Sequence, residues 1–251
     1  MTGKVAILGC GPAGLLATHA AQLMHINPKV FAIKKPSVIN GAQFIHDSIH
    51  GLDLGAAQPV DFRKVGDKAG YAFKVYGSRD AECSWDLFPS GELPAWPMHG
   101  VYDTLWSLYE ELVTDCRLFP SDIRTLESEY DLVISTIPRM TICQRKHDFR
   151  SQRVLFSNRA AFRTTGNFIE YNGEVDVPYY RTSRLFGYGS TEFGEHHKLH
   201  VPADMQAGVK PLGTNCDCHP KVVFVGRFGK WQKGVLVHHA FQEAFDALQQ
   251  L

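Results

Sequence analysis

The chain has 251 residues, 44% of them hydrophobic, and its 26 basic and 26 acidic side chains cancel to a formal net charge of zero. That length is enough for a sizeable core, either as one large domain or, as we read it, as a nucleotide domain carrying a smaller module. The charge balance excludes a protein that engages polyanions with its whole surface, and no apolar run reaches membrane-spanning length. With the first recognisable motif starting at Lys4, no signal peptide is expected, and the expected setting is cytoplasmic with no membrane partner.

Residues 4 to 14 form an apolar run, Lys-Val-Ala-Ile-Leu, that breaks into Gly9-Cys-Gly11-Pro12-Ala13-Gly14 and continues as the helix-like Leu15 to Met24. This is the strand, tight turn and helix of a dinucleotide site. The first glycine permits the turn, the second lets a pyrophosphate approach the backbone, and the third lets helix and strand pack closely. Cys10 fits as the small residue that such a turn requires. Lys29 to Ile33 then reads as a second buried strand that completes a βαβ unit. Where such folds place an acid on the ribose hydroxyls, this sequence has Lys34, which argues against a simple NAD site and leaves Lys34 facing either a phosphate or solvent.

Gly41-Ala42-Gln43 is a glycine segment expected to pass close to the cofactor. Residues 52 to 98 are rich in Gly and Pro, and alternating pieces such as Tyr71 to Tyr76 predict a small antiparallel module. From Tyr102 to Val113 the apolar residues recur at helical spacing, as a core face. Tyr130 to Pro138 is a buried strand of the parallel type. Next comes a basic stretch from Arg139 to Arg163, either a solvated face or a cationic surface for a phosphate-bearing substrate.

Phe168 to Gly173 and Pro178 to Phe186 read as module strands, the first ending at an Asn172-Gly173 turn. Strict alternation in the second puts Tyr180 and Arg184 on one face and Tyr179 and Arg181 on the other. Finally Lys221 to Val225 is a strand running into Gly226-Arg227-Phe-Gly-Lys-Trp231-Gln-Lys-Gly234-Val235, followed by a helix to Leu248. A second helix N-terminus there would stabilise negative charge on a cofactor.

Six cysteines lie in the chain without a framework spacing, so free thiols are expected. Cys216-x-Cys218-His219 has the form of a metal half-site, but zinc takes four ligands in spaced pairs, and the sequence alone assigns no metal.

The glycine motif at one end, combined with strand, Gly226-Arg227-x-Gly229-x-Trp231 and helix at the other, resembles FAD proteins of the glutathione-reductase type, and within them the amine oxidase and UDP-galactopyranose mutase superfamily. The resemblance implies an α/β chain with a Rossmann-like FAD-binding fold and a small antiparallel β substrate module. The FAD domain would be discontinuous, over 1–51, 115–145 and 205–251, with the module over 52–114 and 146–204. FAD would lie on Gly9, Gly11, Pro12, Ala13 and Gly14, with Lys34, Gly41, Ala42 and Gln43 along it and Gly226, Arg227, Trp231, Gly234 and Val235 at the flavin end.

Val209-Lys210-Pro211-Leu212, Cys216-Asp-Cys218-His219 and the Gly226 to Gly234 motif also look like small bacteriophage flavoproteins of thymine hypermodification, which implies an FAD-dependent oxidation and lyase step on glycyl-modified thymine in DNA, in the host cytoplasm. The alternatives are a mutase or oxidoreductase acting on a small phosphorylated or nucleotide-sugar metabolite, and a non-catalytic FAD-binding protein. For the substrate the candidates are Arg139, Arg181 and Arg184. For a catalytic base they are His46 and Tyr180, with His238 and His239 read as structural.

Overall fold

The computed structural model describes residues 3–33, 43–145, 147–194 and 205–251. In chain order the strands are β1 (Val5–Leu8), β2 (Lys29–Ala32), β3 (Phe44–Ile45), β4 (Gln58–Val65), β5 (Gly91–Pro97), β6 (Val113–Asp115), β7 (Leu132–Ser135), β8 (Phe149–Ser157), β9 (Asn167–Asn172), β10 (Tyr179–Leu185), β11 (Tyr188–Phe193), β12 (Gln206–Thr214) and β13 (Val222–Phe224). The α-helices are α1 (Pro12–Leu23), α2 (Lys68–Tyr76), α3 (Met98–Tyr109), α4 (Pro120–Glu129), α5 (Arg139–Ile142), α6 (Gly226–Lys230) and α7 (His239–Leu248). The chain divides into two compact units: Met1–Gly55, Met98–Ser151 and Pro211–Leu251 form the first, and Ala56–Pro97 with Gln152–Lys210 the second. The units meet the sequence at different points from the 52–114 and 146–204 expected for the module. Helix α3, which that division would give to the module, packs on α1 in the first unit.

The first unit is built on a sheet in the order β13-β7-β1-β2-β6, in which every neighbouring pair is parallel. β1 lies in the middle, with Ile7 opposite Val30 on one side and Ile134 on the other, and all four of its residues are buried. A strand covered on both faces must be apolar throughout, which is why residues 5 to 8 show no alternation. Under α4, the side chains of Ala6, Leu8, Val133 and Val222 pack with Ile123 and Leu126. α1 packs against α3 and α7, and its small buried residues Ala17, Ala20 and Ala21 allow the close approach.

His19 fastens this layer. Its Nδ1 lies 2.6 Å from the Tyr109 hydroxyl and its Nε2 lies 2.8 Å from the His50 carbonyl oxygen. A carbonyl only accepts, so Nε2 carries the proton and Nδ1 accepts from Tyr109. Burial pushes the His19 pKa down, in keeping with this neutral ring.

In the second unit the strands run in the order β12-β8-β11-β10-β9-β4-β5. β4 and β5, β9 and β10, and β10 and β11 pair antiparallel, while β4 and β9 pair parallel. Tyr71 to Tyr76, expected as alternating strand, is instead helical within α2. Asp67 caps the helix by accepting from the Gly70 amide at 2.6 Å, and Gly77 ends it at φ +78°. Cap and terminator override the strand preference of Tyr, Phe and Val, and the buried Tyr71 and Val75 stand one helical turn apart. Lys74 is wholly buried and spends all three ammonium donors, on the Asn172 carbonyl and side-chain oxygens and the Tyr179 carbonyl. Burial still pushes its pKa down to about 8.

The C-terminal helix expected from Val235 begins four residues later. Gly226–Lys230 forms the short α6, Trp231 ends it in the left-handed region at φ +54°, and α7 starts at His239.

Candidate functional site

At the junction of β1 and α1, the three glycines stand in three different environments. Gly9 has φ +102°, and a Cβ there would meet the Thr136 hydroxyl at 2.5 Å. A Cβ on Gly14 would lie 1.9 Å from the Gly9 carbonyl oxygen, so α1 and the turn approach too closely for any side chain at this position. Around Gly11 a Cβ would find nothing within 4 Å. Gly11 is the N-cap of α1, with no side-chain cap, Pro12 behind it and no acid in the first turn. The first amides of a 12-residue helix are therefore left to an external acceptor. Tyr102 braces the turn from α3, its buried hydroxyl donating to the Cys10 carbonyl at 3.0 Å. Sequence reading did not single out Tyr102, which looked like one more core aromatic.

The second glycine motif meets the first. Gly226, at φ +71°, lies so close that a Cβ would sit 2.9 Å from the Cβ of Ala13. β1, which carries the first turn, and β13, which carries the second, both pair with β7 and flank it in the sheet. The expected anion-stabilising second helix is a different object, however. α6 has only five residues, and the Gly226 amide donates to the Glu243 carboxylate at 3.3 Å, with Lys230 paired to the same carboxylate at 2.6 Å.

Trp231 is also not available to cover a ligand. It is 2% exposed, its indole donates to the Arg150 carbonyl at 3.1 Å, and its ring meets Phe149 and Phe228 edge-on. Gly234, at φ +80°, has open space around it, and Val235 is half-buried. Gln43 uses its backbone carbonyl to accept from Met98 at 3.1 Å. Lys34, Gly41 and Ala42 lie outside the described residues.

His46 is brought to His238, their ring centroids 4.8 Å apart and nearly perpendicular. His238 Nε2 lies 2.9 Å from Asp47 Oδ2. Burial, with His46 and His239 beside it, holds His238 down to about 4 in spite of Asp47. The ring is thus neutral at ordinary pH and donates Nε2–H to the carboxylate. His238, read from sequence as structural, therefore stands in one titratable cluster with the candidate base. No spacing could have shown this, since the two lie 192 positions apart.

In the second unit the alternation assumed for β10 is broken. Tyr179 pairs with Phe193 and Arg181 with Glu192, so Tyr180 is an extra residue in a β-bulge, and Tyr180 and Arg181 both reach Glu192. Arg181 pairs with Glu192 at 2.8 Å and Lys210 with its other oxygen. Tyr180 accepts from Lys210 at 3.2 Å and is 2% exposed, with burial raising its hydroxyl pKa well above the ordinary value.

Neither residue fits its assigned role, because Arg181 is committed to an internal carboxylate and Tyr180 cannot shed a proton at working pH. Arg184 is exposed and donates to the Thr164 carbonyl. Arg139 donates to the Cys216 carbonyl at 2.6 Å and stacks 4.0 Å over Phe224, so it holds a loop of its own unit rather than a substrate.

No protein-family model matches the sequence, and no curated protein matches it. Many solved structures resemble the fold. A reduced UDP-galactopyranose mutase is similar with a TM-score of 0.64 at 12% identity, over 100% of this chain and 94% of that one. A flavin-dependent halogenase from Xanthomonas campestris is similar with a TM-score of 0.58 at 10% identity, over 100% and 71%. CtdE in complex with FAD and a substrate is similar with a TM-score of 0.53 at 11% identity, over 99% and 80%. What these likenesses share with the geometry of β1, α1 and their sheet is architecture, and the chain has a Rossmann-like FAD-binding fold.

Proposed function

We propose that the protein binds FAD and is an FAD-dependent oxidoreductase. The observation that carries this reading is the open, uncapped N-terminus of α1 at Gly11, in the strand order that positions a dinucleotide. A diphosphate fits that donor set, since the helix presents free amides and no competing carboxylate. The architecture is shared with a flavin-dependent halogenase and with an FAD complex, which supports the same cofactor.

For the substrate we propose an amine, carried as glycine on a modified thymine in DNA. The support is the resemblance of Val209 to Leu212 and Cys216 to His219 to phage flavoproteins. Bound FAD supplies a two-electron acceptor. The N–Cα bond of the glycyl group would lose two electrons and two hydrogens to become an imine. Water would then split the imine into an aminomethyl base and glyoxylate. His46, next to neutral His238, is the candidate acceptor for a proton from the amine.

The test is anaerobic mixing of the holoprotein with DNA that carries glycyl-thymine. Loss of the oxidised flavin absorbance and release of glyoxylate are expected, and an unchanged spectrum refutes the amine reading. A second reading, a mutase-type reaction on a nucleotide-sugar, is favoured by the likeness to UDP-galactopyranose mutase along 94% of that chain. It predicts saturable binding of a uridine-diphosphate sugar and none of DNA. Bound FAD that neither substrate class reduces or binds to would point to a non-catalytic role.

A further inference from the structure

Away from the glycine turns, four side chains converge that no part of the proposed reaction uses. Cys143 and His147 come from the segment after α5, and Cys216 and Cys218 from the segment before β13. Their ligand atoms, three Sγ and one ring nitrogen, all lie within 4.8 Å of one another. We propose that Cys143, His147, Cys216 and Cys218 form a structural zinc site.

Tetrahedral zinc with Zn–S of about 2.3 Å and Zn–N of about 2.0 Å requires S···S edges of about 3.8 Å and S···N edges of about 3.5 Å. The structure has Cys143–Cys218 at 3.8 Å, Cys143–Cys216 at 3.5 Å, Cys218–His147 Nδ1 at 3.6 Å and Cys143–His147 Nδ1 at 3.1 Å. Three sulfurs and one imidazole match zinc by ligand softness as well as by shape.

The surroundings are those of a metal site. His147 points its other nitrogen, Nε2, at Asp217 Oδ1, 3.2 Å away. This carboxylate partner fixes the ring with Nδ1 turned to the sulfurs. The Gln144 amide donates to Cys218 Sγ at 3.4 Å, as amides do to metal-bound thiolates. The Cys143 thiol also contacts the Arg145 carbonyl at 2.9 Å, a contact that deprotonation on metal binding would give up.

The two segments are also held independently of the sulfurs. Thr214 donates to the Asp148 carbonyl at 2.7 Å, Asn215 accepts from the Asp148 amide at 3.0 Å, and Arg139 holds the Cys216 carbonyl. With all four positions filled by protein, no open position remains for a substrate or water, so the metal would staple the fold rather than take part in catalysis. The half-site Cys216-x-Cys218 was legible in the sequence. Its partner pair Cys143-x-x-x-His147 lies about 70 positions upstream, where only the fold unites them.

The experiment is elemental analysis of the 251-residue protein, purified without chelator from zinc-supplemented cells, with and without FAD. One zinc per chain is expected, whether or not flavin is bound, so the result is separate from the proposed activity. Cobalt(II) substitution should give the intense red-visible ligand-field bands of a tetrahedral thiolate site, clear of flavin absorbance. Cys218→Ala should lose the metal, His147→Cys should keep it, and Asp217→Asn should keep it with affinity about 10- to 100-fold weaker in a chelator competition. Wild-type protein recovered folded and free of zinc overturns the proposal, whether Cys143, Cys216 and Cys218 titrate as free thiols or two of them are joined in a disulfide.

Discussion

Two alanine substitutions three residues apart should behave in opposite ways if the glycine turn works as described. Gly11 has φ −68° and ψ 179°, a conformation open to any L-residue, and its Cβ would touch nothing within 4 Å. Gly11→Ala should therefore fold as well as the wild type, and removing backbone freedom from the unfolded chain should stabilise it by about 0.4–1 kcal/mol. The methyl group would, however, occupy the space through which a pyrophosphate reaches the helix amides. Each hydrogen bond to a charged group contributes about 1.5–3 kcal/mol, so losing one of them weakens FAD binding by about 10- to 100-fold.

Gly14→Ala should do the reverse. Its Cβ would lie 1.9 Å from the Gly9 carbonyl oxygen, where ordinary contact begins near 3.4 Å, so α1 must shift by about 1.5 Å. Overpacking of that order costs about 1–3 kcal/mol or more before any ligand is added. Denaturant unfolding of the apoproteins measures the first quantity, and quenching of FAD fluorescence on titration measures the second. A Gly11→Ala protein that binds FAD like the wild type would refute the placement of the diphosphate. A Gly14→Ala protein of undiminished stability would refute the packing argument.

Glu192→Gln should destabilise the chain by about 3–5 kcal/mol, because Arg181 and Lys210 would be left beside a neutral amide in a buried cluster. Arg181 and Lys210 hold the Glu192 pKa down to about 2 against an ordinary 4.5. Its contribution is complete above pH 4.5 and is lost as the pH falls through 2, and acid unfolding of the variant should lack that step. His238 has a folded pKa of about 4 against 6.5, so the unfolded chain takes up the proton first and stability falls as the pH drops from 6.5 towards 4. NMR titration of the ring should give a midpoint near 4, and a midpoint near 6.5 would refute its burial. Lys74→Met should cost at least about 2 kcal/mol by calorimetry, because it strands the Asn172 and Tyr179 oxygens that the ammonium satisfies. An unchanged melting temperature would mean that water replaces the ammonium.

Where sequence was sufficient, the physics was local. The strand, turn and helix over residues 4 to 24 could be read because burial on both faces forces an apolar β1 and close packing forces glycine at 9 and 14. The junction of the two ends was also legible, since each carries the same strand and glycine turn, and Gly226 packs on Ala13. Reading failed where a short signal outweighed a broad one. Asp67 and Gly77 turned an apparently alternating segment into α2. One inserted residue at Tyr180 turned the faces of β10, so that Arg181 found Glu192 instead of facing away. It was silent where function depends on distant pairs, as with His46 and His238 or Cys143 and Cys218, because no period in a sequence encodes which loops meet.

The central position of β1 and the packing of α1 against α7 also set an order of events during synthesis. β1 and α1 are made early, but β7 follows more than 100 residues later, and β13 and α7 about 200 residues later. At translation rates of about 5–20 residues per second, the wait from α1 to α7 is roughly 10 to 40 s. Until then one flank of α1 has no partner, and β7 lacks the strand beside it that carries the second turn. A nascent chain would therefore show the fingerprint of a nucleotide site long before it could hold a nucleotide. Loading of the ligand waits for β13 and α7 to be made, and a chain stalled before residue 222 would emerge with β7 unpaired on one side and open to aggregation.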